Sequence, residues 1–138
     1  MGYETKLIIG RECSASDEYD YSTEPARKTG KKETYFMSYA EIDLCKAGTN
    51  ALSKAMCGFK NKDKNHHWYF YGHDGNTPIK EDKYGDKWIP QTIDSILEPM
   101  KIDYANGNYR RFKWAIALLE SMKSDNEEIK VLIYSYKM

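Results

Sequence analysis

The stretch TYFMSYAEIDLCK, from Thr34 to Lys46, alternates between two sets of side chains along most of its length. Successive side chains of an extended strand point to opposite faces, so this period of two predicts a β-strand. One predicted face carries Phe36, Ser38, Ala40, Ile42 and Leu44, and the other carries Tyr35, Met37, Tyr39, Glu41 and Asp43. The first set suits a core beneath a sheet, whereas the second is rich in tyrosine and charge. We therefore expect a sheet with one buried face and one face open to other contacts.

Three further segments have strand patterns. They are YETKLIIG at residues 3–10, HHWYFYG at 66–72 and EEIKVLIYSY at 127–136. The first two alternate with a period of two, and the last is apolar on both faces, which is typical of a strand inside a sheet. The sequence thus predicts about four strands.

Two amphipathic segments in the second half of the chain predict the main helices. Pro90 opens the first of them, and Pro99 predicts a kink or a stop near its end. The second, YRRFKWAIALLESMKS at 109–124, repeats its apolar residues at helical spacing. A shorter helix of about two turns is predicted after Thr49 or Asn50, either of which can serve as its N-cap.

These elements predict an α+β fold, with a mostly antiparallel sheet of about four strands and two main helices packed on one face. No repeat or change in composition marks a second domain, so residues 1–138 are expected to form a single domain. Residues 11–33 are rich in Ser, Thr, Gly, Pro and charge, which predicts a long polar loop or flap. Loops of that length are uncommon unless they have a function.

The charge balance gives no reason to expect binding to nucleic acid or to an anionic membrane. Lys plus Arg and Asp plus Glu number 21 each, so the formal net charge is zero. A chain without self-repulsion associates more readily, and we expect a homo-oligomer. No stretch approaches the ~18 apolar residues of a membrane span, and the N-terminus lacks a signal-peptide pattern. Cys13, Cys45 and Cys57 have neither disulfide nor zinc-ligand spacing, which favours a reducing, cytoplasmic compartment.

The 12 tyrosines are the most distinctive feature of the composition. Tyr35 and Tyr39 share a face of one predicted strand, and Tyr69 and Tyr71 share a face of another. A contiguous, exposed aromatic patch usually marks a ligand or a partner. We predict that these four tyrosines form a contact surface if their strands are neighbours.

Two basic clusters could bind an anion. Lys62 and Lys64 precede an aromatic strand, so phosphate-binding side chains stand next to a stacking surface. Arg110 and Arg111 begin a predicted helix, where backbone N–H groups and arginines bind phosphates together. The four residues predict a small nucleotide-like ligand, and a solvated turn and helix end are the alternative.

The stretch NHHWYFYGHDGN, at 65–76, contains all three histidines. His66 and His67 point to opposite faces of the predicted strand. His67 lies about 20 Å from His73 at strand spacing, so the two cannot share an ion without a turn between them. His73 with Asp74 remains a candidate metal-binding pair, and an ordinary strand and turn is the alternative.

Glu41 and Asp43 form a second candidate pair. They share a strand face at i, i+2, a spacing at which two carboxylates can hold a divalent cation or act as acid and base. Lysines on a neighbouring strand would explain them equally well.

The sequence favours binding over catalysis and predicts no cofactor. It contains no Gly-rich phosphate loop, no nucleophile elbow and no zinc-protease motif. Its size, its Lys, Asn and Tyr usage and its long polar segment are similar to those of many accessory proteins of phages and mobile elements. We predict a non-enzymatic binding module that inhibits a host protein or sequesters a small signalling ligand. The alternative is a metal-dependent phosphodiester or nucleotide hydrolase that uses Glu41, Asp43, His73 and Asp74.

Overall fold

A computed structural model of the protein describes residues 4–44, 50–72, 75–82, 85–107, 109–125 and 128–137. Six strands and three helices follow one another along these residues. In chain order they are β1 (Glu4–Asp20), β2 (Arg27–Asp43), α1 (Asn50–Cys57), β3 (His66–Tyr71), β4 (Pro78–Ile79), β5 (Gln91–Thr92), α2 (Ile93–Gly107), α3 (Arg110–Asp125) and β6 (Lys130–Lys137). The predicted α+β class is confirmed.

The sheet is mixed, with its strands in the order β4-β3-β2-β1-β6-β5. β1 is antiparallel to both of its neighbours, whereas β2 and β3 are parallel. The expectation of about four mostly antiparallel strands is therefore wrong. The sheet has six strands, and its β2–β3 pair is parallel. β4 and β5 have two residues each, too few to show a period in the sequence. The parallel pair arises because the connection from β2 to β3 includes α1, and parallel neighbours need a long crossover of this kind.

Residues 11–33 form most of a long hairpin, so the predicted loop or flap is wrong. β1 and β2 have 17 residues each and pair along nearly their whole length. Most side chains in the outer part of this hairpin are exposed, which explains why the segment has few aliphatic residues. Asp17 pairs there with Lys28 and Lys32 on the opposite strand.

A β-bulge at Tyr39 changes which side chains of β2 share a face. Ile9 pairs with Ala40, but Gly10 pairs with Ser38, so Tyr39 has no partner in the register. The alternation of β2 is therefore reversed beyond the bulge. The predicted single core face is wrong, because its members divide between two core clusters: Phe36 in one, and Ala40, Ile42 and Leu44 in or against the other.

The larger core cluster lies between the sheet and the helices. Leu7 and Ile9 of β1 and Val131 and Ile133 of β6 pack there against apolar side chains of all three helices. The smaller cluster is on the opposite face and contains Ile8, Phe36, Phe70, Trp88 and Leu132.

The two predicted main helices are α2 and α3, and α1 adds a third to the larger core cluster. Pro99 lies inside α2, which continues to Gly107, so the helix does not stop at the proline. Within the described parts of the chain, no helix is long and apolar enough to cross a membrane.

The first turn of α1 is capped from another helix. Asp103 of α2 is buried, and its carboxylate accepts hydrogen bonds from the backbone N–H groups of Ala51 and Leu52, both at 2.9 Å. The N-cap predicted at Thr49 or Asn50 concerns side chains outside the described set. Asp103 therefore joins α1 to α2 through the backbone of α1.

Candidate binding surface and carboxylate–histidine cluster

Three of the four predicted tyrosines meet on one face of the sheet. The parallel register of β2 and β3 places Tyr35 beside Tyr69, and Tyr71 follows on the same face of β3. The ring centroid of Tyr35 lies 5.5 Å from those of Tyr69 and Tyr71, which are 5.9 Å from each other. These are contact distances for aromatic pairs. We refer to Tyr35, Tyr69 and Tyr71 as the aromatic cluster.

The aromatic cluster is accessible to solvent. Tyr71 is 42% exposed, and Tyr35 and Tyr69 are half-buried. Among the described residues, the core between the sheet and the helices contains none of the three tyrosines. Partial burial, and then the nearby carboxylate of Glu33, raise the pKa of Tyr69 above its ordinary value of 10.0. Its phenol is therefore a hydrogen-bond donor at physiological pH.

Tyr39 stands apart from the other three. It is the unpaired residue of the bulge and is 51% exposed. Its ring makes no contact with the aromatic cluster, all of whose members are described. Tyr39 is therefore a matched control for substitutions in the aromatic cluster.

The four basic residues do not form one anion site. Lys62 and Lys64 are exposed in the turn before β3, where the carbonyl of Asn65 accepts a hydrogen bond from Lys32 of β2. Arg111 instead donates to the backbone carbonyl of Asp43 at 2.8 Å. The strand from Lys32 to Asp43 spans roughly 35 Å at ~3.3 Å per residue. The prediction of a single nucleotide site is therefore wrong, because its four residues are not brought together: Lys62, Lys64, Arg110 and Arg111.

The predicted acidic metal pair is engaged with cations. Nζ of Lys6 lies 2.8 Å from Oε1 of Glu41, and Arg111 lies against Asp43. Among the described residues, no third metal-binding side chain joins this pair. A metal site at Glu41 and Asp43 is therefore not supported, and the cross-strand lysine is found for Glu41. His73 and Asp74 lie outside the described residues.

A group that the sequence interpretation missed lies beside the aromatic cluster. Glu18 of β1, Glu33 of β2 and His67 of β3 converge there, and we call them the carboxylate–histidine cluster. Nε2 of His67 is 3.1 Å from Oε2 of Glu18 and 3.4 Å from Oε2 of Glu33. The three strands bring them together because His67 pairs with Glu33, and Glu33 pairs with Ser16, two residues before Glu18.

His67 is the buried member of this cluster, with 6% of its surface exposed. The carboxylate oxygens are close to its Nε2, but that nitrogen has no aligned hydrogen bond within the described residues. Burial lowers the pKa of the imidazole from its ordinary value of 6.5, Lys80 and Lys87 add to this, and the two glutamates oppose it. The neutral imidazole, which has a free lone pair, is the favoured form.

The lowered pKa of His67 predicts that the protein loses stability as the pH falls. In the unfolded chain His67 titrates near pH 6.5, and in the folded protein it titrates at a lower pH. Between these two pH values the unfolded chain therefore binds more protons than the folded protein. We expect the free energy of unfolding to decrease between about pH 7 and pH 5. Urea titrations at several pH values measure this slope. His67→Gln should flatten it and His66→Gln should retain it, whereas equal slopes in both variants would contradict the assignment.

A shallow depression joins the two clusters. It is lined by Glu33, Tyr69, Tyr71, Pro78 and Lys80. Glu33 belongs to the carboxylate–histidine cluster and the two tyrosines to the aromatic cluster, so both clusters face the same space. Phenol donors, a carboxylate and an ammonium group surround it, a set that can hold a polar group between aromatic rings.

Comparison of the chain with models of protein families, with curated proteins and with solved structures finds no match.

Proposed function

We propose that this protein acts by stoichiometric binding, with the aromatic cluster and the adjoining depression as its contact surface. The observation that carries the proposal is the contiguous group of three tyrosines, which lies outside the core that the described helices form with the sheet. Tyrosine provides a large contact area at low entropic cost and is enriched among the residues that dominate binding energy.

A protein partner fits this surface better than a nucleotide-like ligand. The basic residues that would hold phosphates contact β2 at Lys32 and at Asp43, positions roughly 35 Å apart at ~3.3 Å per residue. The tip of the hairpin adds exposed aromatic area, because Tyr19 and Tyr21 there are 40% and 80% exposed, with ring centroids 6.2 Å apart. Specific protein interfaces bury about 800 Å² on each partner, an area that a shallow depression alone does not supply but an extended hairpin can.

The composition supports the remaining parts of the proposal. The similarity to accessory proteins of phages and mobile elements favours inhibition of a host protein over sequestration of a small ligand, given the shape of the surface. The cysteine pattern supports a cytoplasmic location. The zero net charge supports association into a homo-oligomer.

Alanine substitution in the aromatic cluster tests this function. The wild-type protein is first used to isolate a stoichiometric partner from host extract, and the affinity of the purified pair is then measured by calorimetry. Tyr69→Ala and Tyr71→Ala should each weaken binding by about 2 kcal/mol, roughly 30-fold, as expected for residues at the centre of an interface. Tyr39→Ala removes a similarly exposed tyrosine outside the cluster and should change the affinity less than about threefold.

Melting curves of the three variants show whether each is folded. Full affinity in folded Tyr69→Ala and Tyr71→Ala would refute the proposed surface, as would the absence of any stoichiometric partner. A loss of affinity in Tyr39→Ala equal to that in Tyr71→Ala would also refute it, because the effect would then not belong to the aromatic cluster.

A further inference from the structure

We propose that Glu18, Glu33 and His67 bind one divalent first-row transition-metal ion. Each residue offers one ligand atom, and the three atoms lie within 4.8 Å of one another. With metal–ligand distances of about 2.1 Å, the measured N···O separations of 3.1 and 3.4 Å correspond to N–metal–O angles of about 95° and 110°. Both angles fall within the range of tetrahedral and octahedral coordination.

The charges of the cluster favour the binding of a cation. Two carboxylates converge on one nitrogen, and no lysine or arginine of the described residues forms an ion pair with either of them. Two carboxylates that both lie within 3.4 Å of the same nitrogen destabilise each other unless a positive charge lies between them. Asp17, the neighbour of Glu18 in sequence, shows the ordinary arrangement, because Lys28 and Lys32 neutralise it.

The buried imidazole is the second, independent observation. His67 is 94% buried by its 6% exposure, and its Nε2 points into the cluster without an aligned hydrogen bond among the described residues. Most buried polar atoms in proteins have such a bond, so the exceptions call for an explanation. A metal ion bound by the lone pair of this nitrogen would satisfy it and both carboxylates at once.

The ligand types select the class of ion. Imidazole suits zinc, iron, copper and nickel, whereas magnesium and calcium prefer sites made of oxygen atoms alone. One histidine with two carboxylates resembles in donor type the nitrogen and oxygen sets that bind zinc, manganese and ferrous iron. We therefore expect Zn²⁺ or Mn²⁺ to bind more tightly than Mg²⁺.

The position of the cluster leaves part of the coordination sphere to other ligands. Three side chains occupy three positions, and Glu33 also lines the depression beside Tyr69 and Tyr71. The remaining positions on that side are open to water. The ion would also join β1, β2 and β3 through side chains, in addition to the hydrogen bonds of the sheet.

The test measures metal binding by the full chain after treatment with a chelator. Zn²⁺ and Mn²⁺ alone should bind at one equivalent in calorimetry and raise the melting temperature by several degrees at about 100-fold excess over the dissociation constant. Mg²⁺ at the same concentration should have a much smaller effect. Glu18→Gln and Glu33→Gln preserve side-chain shape and should each weaken binding by more than about 100-fold, because they remove a direct ligand.

Glu12→Gln is the matched control. Glu12 lies on the same strand as Glu18, but its carboxylate accepts a hydrogen bond from Nε1 of Trp68 at 2.8 Å instead of joining the cluster. This variant should bind metal like the wild type. Because Glu18 and Glu33 are partly exposed, their glutamine variants should fold, and their circular dichroism spectra check this.

Two outcomes would overturn the proposal. The first is an absence of stoichiometric binding of Zn²⁺ or Mn²⁺ by the wild type at pH 7.5. The second is wild-type metal affinity in folded Glu18→Gln and Glu33→Gln, which would place the ion elsewhere. Either result would leave the cluster as a buried neutral imidazole beside two carboxylates, with no metal ion bound by the three residues.

Discussion

Gly10→Ala should destabilise the protein by about 3 kcal/mol or more, lowering the melting temperature by roughly 10 °C. A Cβ atom at this position would lie 1.8 Å from the carbonyl oxygen of Met37 and 2.8 Å from its carbonyl carbon. Both atoms belong to the backbone of β2 and cannot rotate away as a side-chain end can. The approach is this close because Gly10 lies at the register shift opposite the Tyr39 bulge. Only a shift of the two central strands would make room for the methyl group.

Gly58→Ala is the matched control for this prediction. Its Cβ atom would meet the carbonyl oxygen of Ala55 at 3.5 Å, an ordinary van der Waals contact. We expect its unfolding free energy to stay within about 0.5 kcal/mol of the wild type. Urea denaturation of both variants provides the measurement. A Gly10→Ala protein as stable as Gly58→Ala would show that the strands around the bulge are not packed as described.

Asp103→Ala should cost about 3 kcal/mol of unfolding free energy. The substitution removes the acceptor of two N–H groups in the first turn of α1, and Leu52, one of the two donors, is buried. It also removes a negative charge from the positive end of the α1 dipole. α1 has only eight residues, and a helix that short is not stable in water without tertiary contacts. If the helical circular dichroism signal decreases before the main unfolding transition begins, α1 has been released first.

Two other substitutions calibrate the effect of Asp103→Ala. Asp103→Asn keeps one acceptor oxygen, so its stability should fall between that of alanine and that of the wild type. Asp94→Ala removes an exposed aspartate of the same helix that pairs with Lys123, and should cost less than about 1 kcal/mol. If Asp103→Ala were no more damaging than Asp94→Ala, the cap would contribute little to stability.

The elements with a strong period were predictable from sequence. The α3 pattern and the alternation of β3 depend on side chains whose burial repeats at a fixed spacing, and the structure has both elements at nearly the predicted residues. The apolar character of both faces of β6 also predicted its internal position between β1 and β5. Such patterns arise wherever an element lies against a continuous core.

The predictions that were wrong concern features that depend on pairing between distant residues. The alternation within one segment carries no information about such pairing. A single unpaired residue at Tyr39 exchanged the faces of β2, and the polar sequence of 11–33 concealed a hairpin that has little core to cover. The carboxylate–histidine cluster was missed for the same reason. The sequence predicts a loop at Glu18, and a loop residue has no pairing that would place it beside Glu33 and His67.

Three of the four tyrosines predicted as a contact surface do meet, because the parallel register of β2 and β3 happens to align them. The predictions for the basic residues and the acidic pair depend on local position within one strand, turn or helix, which does not tell which strand ends are adjacent. Local sequence patterns identify residues that can bind a ligand, but the order and register of the strands decide which of them can act together.

The position of β1 between β2 and β6 has a consequence for the order of folding. β1 and β2 are joined by a short turn, so their hairpin can form early, whereas β6 pairs with β1 from the other end of the described chain. Non-local pairings of this kind form late, because closing a long loop has a large entropic cost. Until β6 docks, the edge of β1 that carries Leu7, Ile8 and Ile9 stays open to other chains. The stage before this closure is therefore where aggregation would compete with folding.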